Sequence, residues 1–225
     1  MRTKIDIKNW KRKLAYETFS NYSDSYTGLV TKIDITNLIS FCKQNKTSFY
    51  GCMTYFVLKS MNEIDAFKYG YGKEDGKKFV YKYDSLAATA TVIDNDNELN
   101  FTRYVGYDED ISKFLVEFSK ATEDASNNVP YYKILGLEKM NKINITCIPW
   151  ITFSNFKDAI DLNEKNSKPK ICWGKYYLEG NRYLIDISLL VNHAFQDGYH
   201  MGLFFNNLQQ NIYNLKVDKN LVKVR

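Results

Sequence analysis

The feature that most limits what this chain can fold into is a change of hydrophobic period within a few residues. Tyr183 to Val191 is an apolar run of strand length, rich in Ile, Leu and Val. It stops at Asn192-His193-Ala194-Phe195-Gln196-Asp197-Gly198. Beyond that stretch Met201, Phe204, Phe205, Leu208 and Ile212 recur at the three-and-four spacing of one helix face. The pattern predicts a strand that ends at His193 and a helix that opens near Gly198. A neutral imidazole held at such a strand end can take a proton at physiological pH. The same histidine also has a plainer reading as a hydrogen-bonded structural residue, and spacing alone does not choose between the two.

The rest of the chain mixes the two periods. Lys4 to Phe19 reads as a strand entry and then a helix. Helical spacing runs through Asp34 to Asn45, through Ser48 to Phe67 as a longer helix, and through Ile111 to Ala125. Strands are expected at Phe79 to Tyr83, Ala87 to Ile93, Ile143 to Ile148, Lys170 to Tyr177 and Arg182 to Val191. Gly70 to Gly76 reads as a turn, as does Asp94 to Asn97; Asn127 to Pro130 breaks a helix, and Asp161 to Pro169 is a polar loop. Strands and helices without regular βαβ alternation predict the α/β class with a mixed sheet. A chain of 225 residues suits one such domain or two small ones.

Bulk properties narrow the function classes. No run approaches the 18 or so apolar residues of a membrane span. Met1 to Trp10 is polar and lacks the apolar core of a signal peptide, so a cytoplasmic location is expected. Cys42, Cys52, Cys147 and Cys172 form no Cys-x-x-Cys pair and read as thiols of a reducing compartment. The two histidines, His193 and His200, have no cysteine near them in sequence, and no metal site is expected. The net charge of +5 comes from scattered lysines, which does not indicate nucleic acid. It suits an anionic cofactor and equally a solvated surface.

His-x-x-x-Asp-Gly after a strand resembles the signature of the chloramphenicol acetyltransferase family and its wider acyltransferase superfamily. Ile148-Pro149-Trp150-Ile151-Thr152-Phe153-Ser154 resembles the family's Pro-Trp segment. Gly174-Lys175-Tyr176-Tyr177, followed by Glu179-Gly180-Asn181, resembles its Gly-Lys-Tyr-Tyr stretch. Gly198-Tyr199-His200-Met201-Gly202 with Leu208-Gln209-Gln210 resembles its last helix, and Asp6 to Arg12 with Thr31 to Thr36 resembles its opening. The resemblance runs over nearly the whole chain and is weakest between about Gly70 and Tyr132.

It implies a two-layer sandwich, a mixed β-sheet packed by helices, as a single acetyltransferase domain over residues 1–225. It implies an O-acetyltransferase that uses acetyl-CoA as co-substrate and needs no metal. Chloramphenicol is the first acceptor expected, which would make the reaction an antibiotic inactivation. A different small hydroxyl acceptor is the alternative, as is a non-catalytic ligand-binding member. It also implies a homotrimer with active sites between subunits.

Residue by residue, the resemblance makes His193 the general base. Thr146 stands where the family places an oxyanion-donating serine. Asp197 pairs with Arg12 to hold the loop that carries the base. Trp150, Lys175 and Tyr176 line the coenzyme A channel. Cys172 takes the place of a threonine that helps hold a water, and Ser48 that of a lysine, with Lys46 close by. Thr18, Phe19, Thr27 and Asn144 fall on the acceptor side. Asn192 replaces a second histidine, and the Thr18 to Thr27 segment is more polar than the family's clasp. The acyltransferase core of 2-oxoacid dehydrogenase complexes shares the superfamily, but that reading expects a Pro/Ala-rich linker, and this chain has three prolines.

Overall fold

A computed structural model of the protein describes residues 1–94, 99–126, 141–162 and 166–216. In chain order the elements are β1 (Arg2–Lys4), α1 (Lys13–Phe19), β2 (Tyr26–Asp34), α2 (Thr36–Asn45), α3 (Phe49–Asn62), β3 (Tyr69–Glu74), β4 (Lys77–Tyr83) and β5 (Leu86–Asp94). There follow β6 (Leu99–Gly106), α4 (Ile111–Ser126), β7 (Asn141–Cys147), β8 (Lys170–Trp173), β9 (Tyr177–Glu179), β10 (Arg182–Asn192) and α5 (Gly198–Tyr213). The large sheet runs β2-β10-β8-β7-β5-β6, with β9 beside β10; a smaller sheet runs β1-β4-β3. β7 lies parallel to β5 and to β8, and the remaining pairs are antiparallel, so the sheet is mixed.

Side-chain alternation explains the two layers. On β10, Ile185, Ile187, Leu189 and Val191 are buried and join one core. Ile143 and Ile145 of β7, and Ile171 and Trp173 of β8, point the same way. Helices α2 to α5 close that face with Leu38, Met53, Phe56, Phe114, Phe204 and Leu208 among others. Each such side chain taken from water contributes about 1.5–3 kcal/mol. The residues between them, Ser188, Cys172, Asn144 and Thr146, therefore occupy the opposite face. A small second cluster of Trp10, Tyr69, Val80, Ala194 and Phe195 joins the N-terminal segment and the small sheet to the loop that carries His193.

Several boundaries differ from the sequence expectation. The long helix over Ser48 to Phe67 ends at Asn62, because the Asn62 side chain takes Leu86 N–H and gives to the Leu58 carbonyl. A 3₁₀ turn, Asp65–Lys68, follows it. The glycine-rich stretch from Gly70 is mostly strand β3; the turn is only Asp75-Gly76, at φ 48° and 75°, the left-handed pair a two-residue hairpin requires. The run Lys170 to Tyr177 is two strands. Between them Lys175 N–H bonds the Ile151 carbonyl at 2.7 Å, and a Cβ at Gly174 would meet that same oxygen at 2.7 Å. Strand β6 was not expected at all. The helix break over Asn127 to Pro130 and the centre of the Asp94 to Asn97 turn lie outside the described residues. Among the described residues no helix is long and apolar enough to cross a membrane.

Candidate active site

The loop after β10 is held by its own polar residues. Asn192 Oδ1 accepts from Ala194 N–H at 2.9 Å, and its carbonyl accepts from Phe195 and Gln196 N–H at 2.9 and 3.0 Å. Its Nδ2 donates to the Asn166 carbonyl at 2.7 Å. Gln196 Nε2 donates to the Ala66 carbonyl at 2.7 Å. Asn192 thus turns the chain and ties it to the segment after β7, a job that sequence reasoning did not assign. His193 N–H bonds the Ser25 carbonyl at 2.8 Å. Its imidazole lies flat on Phe19, with centroids 3.9 Å apart and planes 7° apart. Stacking on Phe19 fixes the ring plane, and Nδ1 is buried without a hydrogen-bond partner among the described residues.

Asp197 caps α5 and faces Arg12. Oδ1 accepts from Tyr199 N–H at 3.1 Å, and Oδ2 accepts from Arg12 Nη1 at 3.1 Å. His200 Nδ1 lies 2.8 Å from Oδ1. Burial raises the Asp197 carboxyl, but the Arg12 hydrogen bond and the charges of His200 and Arg12 outweigh it, and the net shift is downward. Burial also lowers the His200 imidazole against the opposing pull of Asp197. The pair is half-buried: Arg12 keeps 12% of its side-chain exposure and Asp197 34%.

A cleft of about 940 Å³ opens at the C-terminal end of β7 and β8, lined by Thr146, Trp150, Lys175, Tyr176 and the start of α3. Trp150 is exposed, and Tyr176 is half-covered by Phe49 and Tyr183, centroids 5.4 and 5.9 Å away. Both offer aromatic faces to a flat group, and Lys175 adds a cation. Ser48 serves α3 as its cap, its Oγ accepting from Gly51 N–H at 3.2 Å. Cys172 does not line this cleft. Its thiol is buried, and burial pushes it up to about 12, so it stays protonated.

The residues expected on the acceptor side scatter. Thr18 is exposed and bonds back to the Leu14 carbonyl within α1 at 2.9 Å. Thr27 sits on β2 opposite Val191. Asn144 Oδ1 accepts from Thr89 Oγ1 at 2.9 Å. A polar pocket of about 310 Å³ lies beside the His193 loop, lined by Tyr22, Ser23, Ser25, Tyr26, Asn192 and neighbours. Of the four, Phe19 is the one that stacks on His193.

The sheet register separates the two halves of the expected chemistry. Thr146 pairs with Cys172, and Cys172 with Ser188. His193 lies beyond Ser188 at the far end of β10. At about 3.3 Å per residue and about 4.8 Å per strand, the backbones at His193 and Thr146 are roughly 19 Å apart. Neither side chain can cross that gap within one chain.

The chain matches known proteins over most of its length. The family model described as chloramphenicol acetyltransferase covers residues 1–209. Chloramphenicol acetyltransferase 3 of Escherichia coli is 28% identical over 208 residues, 92% of this chain and 95% of that protein. A chloramphenicol acetyltransferase of Clostridium perfringens is 29% identical over 206 residues, 92% of each. A solved chloramphenicol acetyltransferase superposes with a TM-score of 0.81 at 23% identity, over 94% of this chain and all of that one. The cubic core of the pyruvate dehydrogenase multienzyme complex shares the fold at a TM-score of 0.66 and 12% identity, over 89% of this chain and 85% of that one. Together the matches define an acyltransferase enzyme of the two-layer α/β type. Within that class the chain belongs to the chloramphenicol acetyltransferase family.

Proposed function

We propose that this protein transfers an acetyl group from acetyl-CoA to a hydroxyl of a small molecule, with chloramphenicol the first candidate acceptor. His193 takes the proton from the acceptor hydroxyl. The freed oxygen attacks the thioester carbonyl directly, and Thr146 Oγ1 donates to the oxyanion that forms. The thiolate of coenzyme A leaves and collects the proton from His193. Asp197 and Arg12 keep the loop, and hence the imidazole, in place. The donor lies in the large cleft against Trp150, Lys175 and Tyr176.

The observation that carries this reading is the sheet register, which sets the base and the oxyanion donor at opposite ends of the sheet, roughly 19 Å apart. Residues with complementary chemistry stand at opposite ends of the sheet, and rotation of one copy against another brings such ends together. A homotrimer, with His193 of one subunit facing Thr146 of the next, supplies that rotation. The four cysteines are free thiols, which supports a reducing compartment, the cytoplasm. The full chain reads as one acetyltransferase domain. The serines and asparagines of the small pocket favour a second reading, a more polar alcohol as natural acceptor. An acceptor screen with acetyl-CoA, reading free thiol, tests both readings. Thiol release with chloramphenicol supports antibiotic inactivation, release only with other alcohols supports the second reading, and none with any acceptor overturns the proposal.

A further inference from the structure

Arg103 has no counterpart in the chemistry above. It lies on β6 opposite Ala90 of β5, so its side chain rises on the helix side of the sheet. It is buried, with 5% of its surface exposed. Its guanidinium carbon sits 4.3 Å from the Phe118 ring centroid and 5.0 Å from that of Tyr50. Among the described residues its Nε is buried without a hydrogen-bond partner, and no carboxylate forms an ion pair with it. Burial lowers its pKa, opposed only by Tyr50. A buried cation without a counter-charge is costly, and aromatic faces return only part of that cost. Such an ion persists where something else answers its charge.

Arg103 borders the large cleft beside Tyr50, and Lys175 lines the same cleft. α3 begins at the same place. Ser48 and Phe49 line the cleft, and the Phe49 and Tyr50 N–H groups have no intrahelical acceptor at those positions. Helix amides, a buried guanidinium and a lysine converge on one volume, and that combination suits an oxyanion of phosphate type. We propose that Arg103, together with the α3 N-terminus and Lys175, binds a phosphate of the coenzyme A donor and so sets the protein's preference for phosphorylated over bare pantetheine thioesters. The inference rests on the acetyl-CoA reading. The phosphate can be the 3′-phosphate or the diphosphate, and the test separates them.

Calorimetric titration of the full chain and of Arg103→Met compares coenzyme A, 3′-dephospho-coenzyme A and pantetheine. Methionine keeps an apolar stem against Tyr50 and Phe118 and removes the unanswered charge. The unliganded variant is therefore expected to melt no lower than the unchanged protein. Its affinity for coenzyme A is expected to fall by about 10- to 100-fold, the range for a lost charge-assisted bond, while pantetheine binding stays the same. If the loss vanishes with the 3′-dephospho compound, Arg103 holds the 3′-phosphate; if it persists, it holds the diphosphate. Unchanged affinity for coenzyme A overturns the inference, as does an equal loss with pantetheine. No binding of coenzyme A by the unchanged protein overturns the acetyl-CoA reading instead, and this one with it. Should Arg103→Met not fold, Arg103→Lys replaces it, with a smaller loss expected for coenzyme A and none for pantetheine.

Discussion

Substitutions at Asp197 separate the two things its carboxylate does. Oδ1 caps α5, and a lost cap costs about 1 kcal/mol. Oδ2 takes a charge-assisted bond from Arg12, worth about 1.5–3 kcal/mol in general and nearer the lower end here, because a third of Asp197 faces solvent. Arg12 is the more buried partner, and its Nε and Nη2 have no hydrogen-bond partner among the described residues, so removing the carboxylate leaves its charge unanswered there. Asp197→Ala is therefore expected to lose about 2.5–3 kcal/mol. Asp197→Asn keeps a capping oxygen and is expected to lose about 1.5–2 kcal/mol. At about 2–4 °C per kcal/mol for a chain of this size, Tm falls by about 5–12 °C for Ala and about 3–8 °C for Asn. Scanning calorimetry at one fixed protein concentration reads this without interference from subunit association. Acetyl transfer should fall in both variants, while coenzyme A binding survives, because the donor cleft lies at the other end of the sheet. The pH dependence has a fixed sign. The folded carboxyl is held below its unfolded value of about 4, so its contribution is present above that value and is lost as pH falls through the folded one. Asn should flatten that acid limb. Equal melting of Ala and Asn would refute the capping role, and a variant as stable as the unchanged protein would refute the ion pair.

Three further outcomes are expected. Thr146→Val should slow turnover about 10²-fold, as for loss of one oxyanion donor, while Thr146→Ser is tolerated; equal rates for Val and the unchanged protein would assign that role elsewhere. His200 has a lowered folded pKa, so the unfolded chain binds more protons below about pH 6.5 and stability rises with pH through that window; urea unfolding between pH 5 and 7 should show the slope, and His200→Gln should remove it. Steady-state kinetics with chloramphenicol should give a raised KM relative to chloramphenicol acetyltransferase 3 of Escherichia coli and a smaller change in kcat. A missing buried methylene is worth about 0.8 kcal/mol, so two missing contacts give roughly tenfold. A micromolar KM with rapid turnover would contradict this.

The strand, turn and helix around His193 were legible because the hydrophobic period changes from two to 3.6 across Asn192 to Gly198. The structure places β10 at Arg182–Asn192 and starts α5 at Gly198. The end of α3 was not legible. Phe67 is buried and continues the apolar pattern, yet Asn62 stops the helix through a bond to Leu86 that only the fold creates. Gly70 and Gly72 read as turn residues but are strand positions where a Cβ would strike Asn141 and Ser167, or Arg2 and Tyr81. Nothing in the sequence pattern marks Arg103, and only the meeting of β6 with Tyr50 and Phe118 buries it. Motifs named His193, Thr146, Trp150 and Lys175 as one chemical group. They carried no information on strand order, and strand order places His193 and Thr146 at opposite ends of the sheet.

That separation makes subunit complementation the most direct measurement. His193→Ala and Thr146→Val chains are each expected to lose nearly all acetyl transfer. In the proposed trimer, chains co-expressed and purified together in equal amounts would mix so that one boundary of the three in each mixed trimer pairs an intact His193 with an intact Thr146. With random mixing, about a quarter of all sites are whole. Thiol release with acetyl-CoA and acceptor should then recover to about a quarter of the unchanged protein's rate. Recovery no greater than the sum of the two inactive parents would contradict an active site shared between His193 of one subunit and Thr146 of the next.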